Sequence, residues 1–133
     1  MKNREIYNCI LIFIPLLFIG CYSDNYYNFK LKNNLNDTIK IIFRSDIKTH
    51  LYEKNFLLAG EEIQLYSFKE AAGFNGVEDE KFKDSIWVFT YLRVYKSVNI
   101  LSTKAYKNRN EWIYKKNSKR EAIYTTVIDS ADF

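Results

Sequence analysis

The chain has 133 residues, of which 47% are hydrophobic and 27% charged, and its formal net charge is +4. This composition is typical of one small globular domain, and it excludes a disordered or fibrous chain. The 20 basic and 16 acidic side chains are spread along the whole sequence. The small surplus of positive charge therefore gives no indication of a nucleic-acid partner.

The amino-terminal segment has the outline of a secretory signal peptide. Lys2 and Arg4 precede an apolar run over residues 10–19 that is interrupted only by Pro15. A membrane-spanning helix needs about 20 apolar residues, so this run is short for a permanent anchor. We predict that residues 1–20 are a signal peptide. The alternatives are a short membrane helix that is not cleaved, or a secretory signal cut elsewhere.

A cysteine follows the apolar run directly. Residues 17–21, Leu-Phe-Ile-Gly-Cys, resemble a bacterial lipobox. The resemblance implies a lipoprotein of the bacterial cell envelope, in the outer membrane or at the cell surface, with Cys21 as the lipid attachment site for palmitate-type chains. Each buried methylene contributes about 0.8 kcal/mol, so two or three chains anchor a protein stably. Residues 21–28 then form a lipidated tether and residues 29–133 a single β-domain.

The predicted mature chain has no free cysteine side chain. Cys9 is removed with the signal peptide and Cys21 carries the lipid. These assignments exclude a disulfide, a thiolate nucleophile and a cysteine metal site in the mature protein.

The first half of the predicted domain is a series of short strands. Alternation of apolar and polar residues predicts strands at 29–32 and 38–44, joined by an Asn-rich turn. A second pair at 51–58 and 62–68, joined by a turn at 59–61, is predicted to form a hairpin. Residues 69–83 have no periodicity, which indicates a surface loop or one short helix.

The second half contains the clearest strand, predicted over residues 85–95. Apolar side chains occur on both of its faces, with Ile86, Val88, Leu92 and Val94 on one and Trp87, Phe89, Tyr91 and Tyr95 on the other. Such a strand is usually central and covered on both sides.

A short strand or helical turn at 98–106 and a turn at 108–110 follow. A final hairpin is predicted with strands at 111–115 and 120–129 around a loop at 116–119. Regularly spaced short strands predict an all-β fold, a small antiparallel β-sandwich or an open barrel.

The pattern also resembles a loose set of small lipoproteins of unknown function, in which a lipobox precedes a β-domain. The matching pieces are Asp84-Ser85-Ile86 at the centre and residues 124–133 at the end. This resemblance implies the fold and the envelope location, and it implies no activity.

The sequence predicts no catalytic and no metal-binding residues. His50 is the only histidine and has no second ligand at a metal-binding spacing. Glu78, Asp79 and Glu80 lack the alternating spacing of a calcium loop, so we interpret them as part of a solvated loop. No cofactor and no metal site are expected.

Aromatic residues are unusually abundant, with 20 in the predicted mature chain of 113 residues. One small core does not hide so many rings, and exposed aromatic patches mark binding sites. The candidate binding surface consists of Trp87, Tyr91, Tyr95, Trp112 and Tyr114.

A basic cluster follows this set along the chain, formed by Lys115, Lys116, Lys119 and Arg120. Lysines at a hairpin tip commonly protect an edge strand from pairing with another chain. The same residues could also lie against anionic lipid headgroups.

The sequence thus predicts a non-catalytic binding or structural lipoprotein rather than an enzyme. Its expected partners are the membrane, through the acyl chains, and an envelope protein or glycan, with no nucleic acid. Two alternatives remain open: a small envelope hydrolase that uses paired carboxylates, and an inhibitor or immunity protein with one cognate target.

Overall fold

The computed structural model of the protein describes residues 24–45, 52–71, 75–97 and 99–133. The predicted signal peptide, Cys21 and His50 lie outside these residues. The described chain contains eight strands and three short 3₁₀ helices. The strands are β1 (Asn25–Asn33), β2 (Ile39–Ser45), β3 (Tyr52–Leu57), β4 (Glu62–Glu70), β5 (Phe89–Lys96), β6 (Ile100–Leu101), β7 (Ile113–Ser118) and β8 (Glu121–Ile128). The 3₁₀ helices are Asp79–Phe82, Arg109–Glu111 and Ser130–Asp132.

The strands form two four-stranded sheets, which confirms the all-β prediction and selects the sandwich over the barrel. The first sheet has the order β4-β1-β8-β7 and the second the order β3-β2-β5-β6. Neighbouring strands are antiparallel except β1 and β8, which are parallel. Within the described residues, no helix is long and apolar enough to cross a membrane.

Strand β1 lies inside the first sheet and begins earlier than the sequence predicts. Tyr27, Phe29 and Leu31 point into the core, while the residues between them are more exposed. The strand starts at Asn25, so residues 25–28 belong to the folded domain and not to a tether. The sequence does not indicate this, because the segment is polar and asparagine is usually exposed, whereas Asn25 is buried.

The predicted hairpin over residues 51–68 is wrong, although both of its strands exist. Strand β3 pairs with β2 in the second sheet, and β4 pairs with β1 in the first. The turn between β3 and β4 therefore crosses from one sheet to the other, as does the turn between β1 and β2. Both turns meet at Asn33, whose backbone N–H donates to Glu61 and whose carbonyl accepts from Gly60.

Strand β5 is shorter than predicted and begins at Phe89. The register with β2 shifts between Arg44 and Ser45, which places Phe89 opposite the buried Ser45 and turns its ring inward. The prediction that Phe89 shares a face with Tyr91 is therefore wrong, because a bulge resets the alternation.

The core between the sheets is rich in aromatic rings. Phe29 stacks on Tyr124 at 5.1 Å and makes edge contacts with Phe82, Phe89 and Trp112 at 5.3–5.6 Å. Offset and edge-on pairs at these distances add stability beyond the burial of apolar area. The aromatic excess that suggested a surface is thus largely accommodated inside.

The final hairpin is confirmed, since β7 and β8 pair in antiparallel fashion. The predicted loop at 116–119 is wrong, because β7 continues to Ser118 and the turn consists of Lys119 and Arg120. The predicted loop at 69–83 contains one short helix, Asp79–Phe82, which is one of the two predicted possibilities. The first two residues of the predicted loop belong to β4, which extends to Glu70.

Candidate functional site

The outer face of the second sheet carries a row of aromatic and basic side chains. Tyr91, Arg93 and Tyr95 alternate with the inward-facing Leu92 and Val94 along β5. On β2, their cross-strand partners are Arg44, Ile42 and Lys40, respectively. Leu101 of β6 lies opposite Tyr95 and is 43% exposed. This surface is hereafter the Tyr-Arg-Tyr face.

The guanidinium of Arg93 links the two tyrosines of this face. Its Cζ atom lies 4.9 Å from the centre of the Tyr91 ring, within the range of a cation–π contact. A hydrogen bond with the Tyr95 side chain raises the pKa of Arg93, which is itself exposed. The face therefore presents a permanent positive charge held between two half-buried rings.

A cleft of about 230 Å³ opens beside the same strand. Residues 89–93 of β5 form one wall and residues 104–107 the other. The cleft exists because β6 pairs only with Tyr95 and Lys96, after which the Ser102 N–H donates to the Val94 carbonyl and the chain leaves β5. Planar rings, a guanidinium and an adjacent cleft are elements that bind sugar rings or the side chains of a protein partner.

Trp87 lies apart from Tyr91 and Tyr95, although the sequence predicts one common face. It occupies a turn that precedes β5, where its ring packs against Phe68 at 5.2 Å and Phe82 at 5.5 Å. The indole remains 40% exposed. Trp87 therefore covers the edge of the aromatic core.

Trp112 is not a surface residue, which corrects its assignment to the candidate binding surface. It is 3% exposed, its indole N–H donates to the Tyr106 carbonyl at 2.8 Å, and its ring stacks on Phe89. Tyr114 is half-buried on β7 at 5.2 Å from Tyr124, and burial raises its pKa. Neither ring joins the Tyr-Arg-Tyr face.

Asp79 forms a polar network that the sequence does not predict. Arg109 donates to both carboxylate oxygens of Asp79 at 2.6–2.9 Å, and the Tyr124 hydroxyl donates to Oδ1 at 3.0 Å. Arg109 also lies over the Tyr124 ring, at 5.0 Å. A bidentate pair between arginine and a carboxylate fixes the relative orientation of the two side chains in addition to its electrostatic attraction. The Asp79 side chain remains 44% exposed, as expected for a residue of a solvated loop, but its network also ties this loop to β8.

A second, open cleft of about 390 Å³ lies at the end of β4. Its lining includes the carboxylates of Glu70, Glu78 and Glu80 and the ammonium of Lys81. Lys81 pairs with Glu70 at 2.6 Å and lies 5.0 Å from the Phe68 ring. One carboxylate of the cleft is therefore already neutralised by an internal cation.

Among the described residues, no group of three or more His, Cys, Asp and Glu side chains could hold a metal ion. Comparisons of the chain with protein-family models, with curated proteins and with solved structures return no match.

Proposed function

We propose that the protein is a lipid-anchored protein of the bacterial envelope, attached through Cys21. Its β-sandwich is then a non-catalytic binding module. The observation that supports a binding role is the Tyr-Arg-Tyr face, where two rings flank a guanidinium beside a cleft. The lipobox-like sequence at residues 17–21 supports the anchor.

The anchor is tested by mass and by detergent partitioning of the protein made in a bacterial host. We expect the wild type to lose residues 1–20, to gain the mass of acyl chains and to partition with membranes. A Cys21→Ser variant should gain no acyl mass. Retention of Met1 by the wild type, or an unacylated wild-type chain, contradicts the anchor.

The partner is expected to be a glycan or a protein of the envelope. Tyrosine rings stack on sugar rings, and a guanidinium bonds to carboxylate or phosphate groups on either kind of partner. The probes are purified peptidoglycan sacculi and the protein fraction of washed envelopes, each tested by cosedimentation. Binding to one fraction and not the other identifies the class of partner.

The contact residues are tested with the double variant Tyr91→Ala/Tyr95→Ala. We expect it to lose at least about tenfold in affinity, because aromatic residues at the centre of an interface carry much of the binding energy. The matched control is Tyr26→Ala, since Tyr26 is 41% exposed on the other sheet. Wild-type binding by the double variant contradicts the assignment of this face.

A further inference from the structure

The basic hairpin tip lies beside the start of the folded domain. Because β1 and β8 are parallel, both strands begin at the same end of their sheet. The Tyr26 N–H donates to the Arg120 carbonyl at 2.8 Å, and the Arg120 guanidinium donates to the Asn25 side chain at 3.3 Å. The turn between β7 and β8 is therefore directly adjacent to Asn25.

The predicted lipid attachment site is only four residues before this point. Four residues span at most about 14 Å when fully extended. Wherever Cys21 is held in a bilayer, Asn25 lies within that distance of it, and the hairpin tip adjoins Asn25. Electrostatic attraction between exposed charges and lipid headgroups acts over about 10 Å at moderate salt.

The tip carries a concentration of unpaired positive charge. Lys115, Lys116 and Lys119 are exposed, and none of them forms an ion pair with another described residue. Arg120 is instead held by the fold, since it also donates to the Asn75 carbonyl at 2.7 Å.

Acidic side chains also lie near the tip. Asp24 pairs with Lys69 at 2.6 Å, whereas Glu121 accepts hydrogen bonds from the neutral amides of Asn28 and Asn117, which do not offset its carboxylate charge. Glu78 and Glu80, on the adjoining loop, keep exposed carboxylates. The cationic surface is therefore limited to the hairpin.

We infer that Lys115, Lys116 and Lys119 contact anionic lipid headgroups and orient the anchored domain with this hairpin against the membrane. The inference rests on the proposed anchor and adds an orientation to it. The opposite end of the sandwich, with Asn33 and the start of β2, then points away from the bilayer.

The test is amine-reactive footprinting of the full-chain protein, purified from host membranes and reconstituted into vesicles. One set of vesicles contains phosphatidylcholine alone and the other phosphatidylcholine mixed with phosphatidylglycerol. Labelling of Lys115, Lys116 and Lys119 should fall about fivefold in the anionic vesicles, which corresponds to the attraction of one basic residue near such a surface. High salt should restore the labelling, and Lys96, at the far end of β5, should be unaffected.

A charge-reversal variant, Lys116→Glu/Lys119→Glu, keeps Lys115 as the reporter. We expect it to abolish the protection of Lys115 by anionic lipid. The matched control, Lys32→Glu/Lys96→Glu, makes the same change in net charge at the other end of β1 and β5 and should retain the protection.

The outcomes separate the inference from the anchor. If the protein remains in both kinds of vesicle but Lys115 is labelled equally in each, the orientation is wrong and the anchor stands. If the protein is not retained in either kind of vesicle, the anchor and the orientation both fail. Equal protection in the charge-reversal variant also overturns the inference.

Discussion

Asn33 shows how a single polar side chain can hold two turns together. It is fully buried, and its Nδ2 atom donates to the carbonyls of Asp37 at 2.7 Å and Leu57 at 3.0 Å. Its Oδ1 atom accepts the Leu35 N–H at 3.0 Å. These bonds satisfy backbone groups of the two turns that pass between the sheets, where no ladder partner is available.

Replacing this side chain removes all of these bonds at once. We expect Asn33→Ala to lower the free energy of unfolding by about 3 kcal/mol, since buried carbonyls and an N–H group lose their partner. Urea titration of the detergent-solubilised protein, followed by tryptophan fluorescence, measures the change. Asn36→Ala, at an exposed position in the same turn, is the control and should change stability by less than about 0.5 kcal/mol.

Thr126 presents the opposite case, a buried polar atom without a partner. Its side chain is fully buried on β8, and its hydroxyl makes no hydrogen bond with the described residues. We expect Thr126→Val to raise the free energy of unfolding by about 1 kcal/mol, because the unbonded hydroxyl is replaced by a methyl group. Thr125→Val, on the half-exposed side of the same strand, provides the comparison in the same titration. A loss of stability in Thr126→Val would show that the hydroxyl is bonded.

At the scale of elements, the hairpin of β7 and β8 is joined to the loop at 75–77 by backbone contact. The Val77 N–H donates to the Lys119 carbonyl at 2.9 Å. A Cβ atom on Gly76 would lie 2.3 Å from the same oxygen, closer than any real contact. A glycine is therefore required here for close approach of two backbone segments.

We expect Gly76→Ala to lower the free energy of unfolding by about 2 kcal/mol, since the backbone must shift to relieve the overlap. It should also speed hydrogen exchange of the Val77 amide. Gly60→Ala is the useful contrast, because Gly60 has a φ of +76° and open space around it. That variant should also be destabilised, by about 1 kcal/mol, while Val77 exchange stays as in the wild type. Unchanged exchange in Gly76→Ala would contradict the proposed contact.

For the whole molecule, buried phenol groups connect stability to alkaline pH. Burial raises the pKa of Tyr106, and burial together with the bond to Asp79 raises the pKa of Tyr124. In the unfolded chain both phenols titrate near their ordinary pKa of about 10. The folded state therefore holds protons that the unfolded chain releases, so this contribution is complete below pH 10 and is lost as the pH rises above it.

The free energy of unfolding should consequently fall above about pH 10, by up to about 1.4 kcal/mol per pH unit for each tyrosine. Urea titrations from neutral to alkaline pH measure the slope. Tyr106→Phe should reduce it, since that phenol is removed. Tyr26→Phe serves as the control, because Tyr26 is 41% exposed. An unaltered slope in Tyr106→Phe would exclude Tyr106 as a source of the alkaline instability.

The all-β class of the fold and most of its strands follow from local sequence patterns. Apolar residues at every second position, as in Ile39, Ile41 and Phe43, specify strands with one buried face. The hairpin of β7 and β8 was also predictable, because its strands are adjacent along the chain, although the turn has two residues and not the predicted loop at 116–119. These features depend on interactions within a few residues.

The pairing of the strands and the exposure of the rings depend instead on contacts between residues far apart along the chain. The alternation of apolar and polar residues defines the two faces of a strand but not the strand with which it pairs. The parallel pairing of β1 with β8 and the crossing from β3 to β4 therefore cannot be predicted from local sequence. The same limit applies to Asp79, whose partner Arg109 is 30 positions away. Trp112 and Tyr91 are both predicted to lie on one binding surface, yet Trp112 lies in the core and Tyr91 on an outer face, because burial depends on the opposing sheet. The basic tip likewise meets the start of β1 only because strands distant along the chain pair side by side.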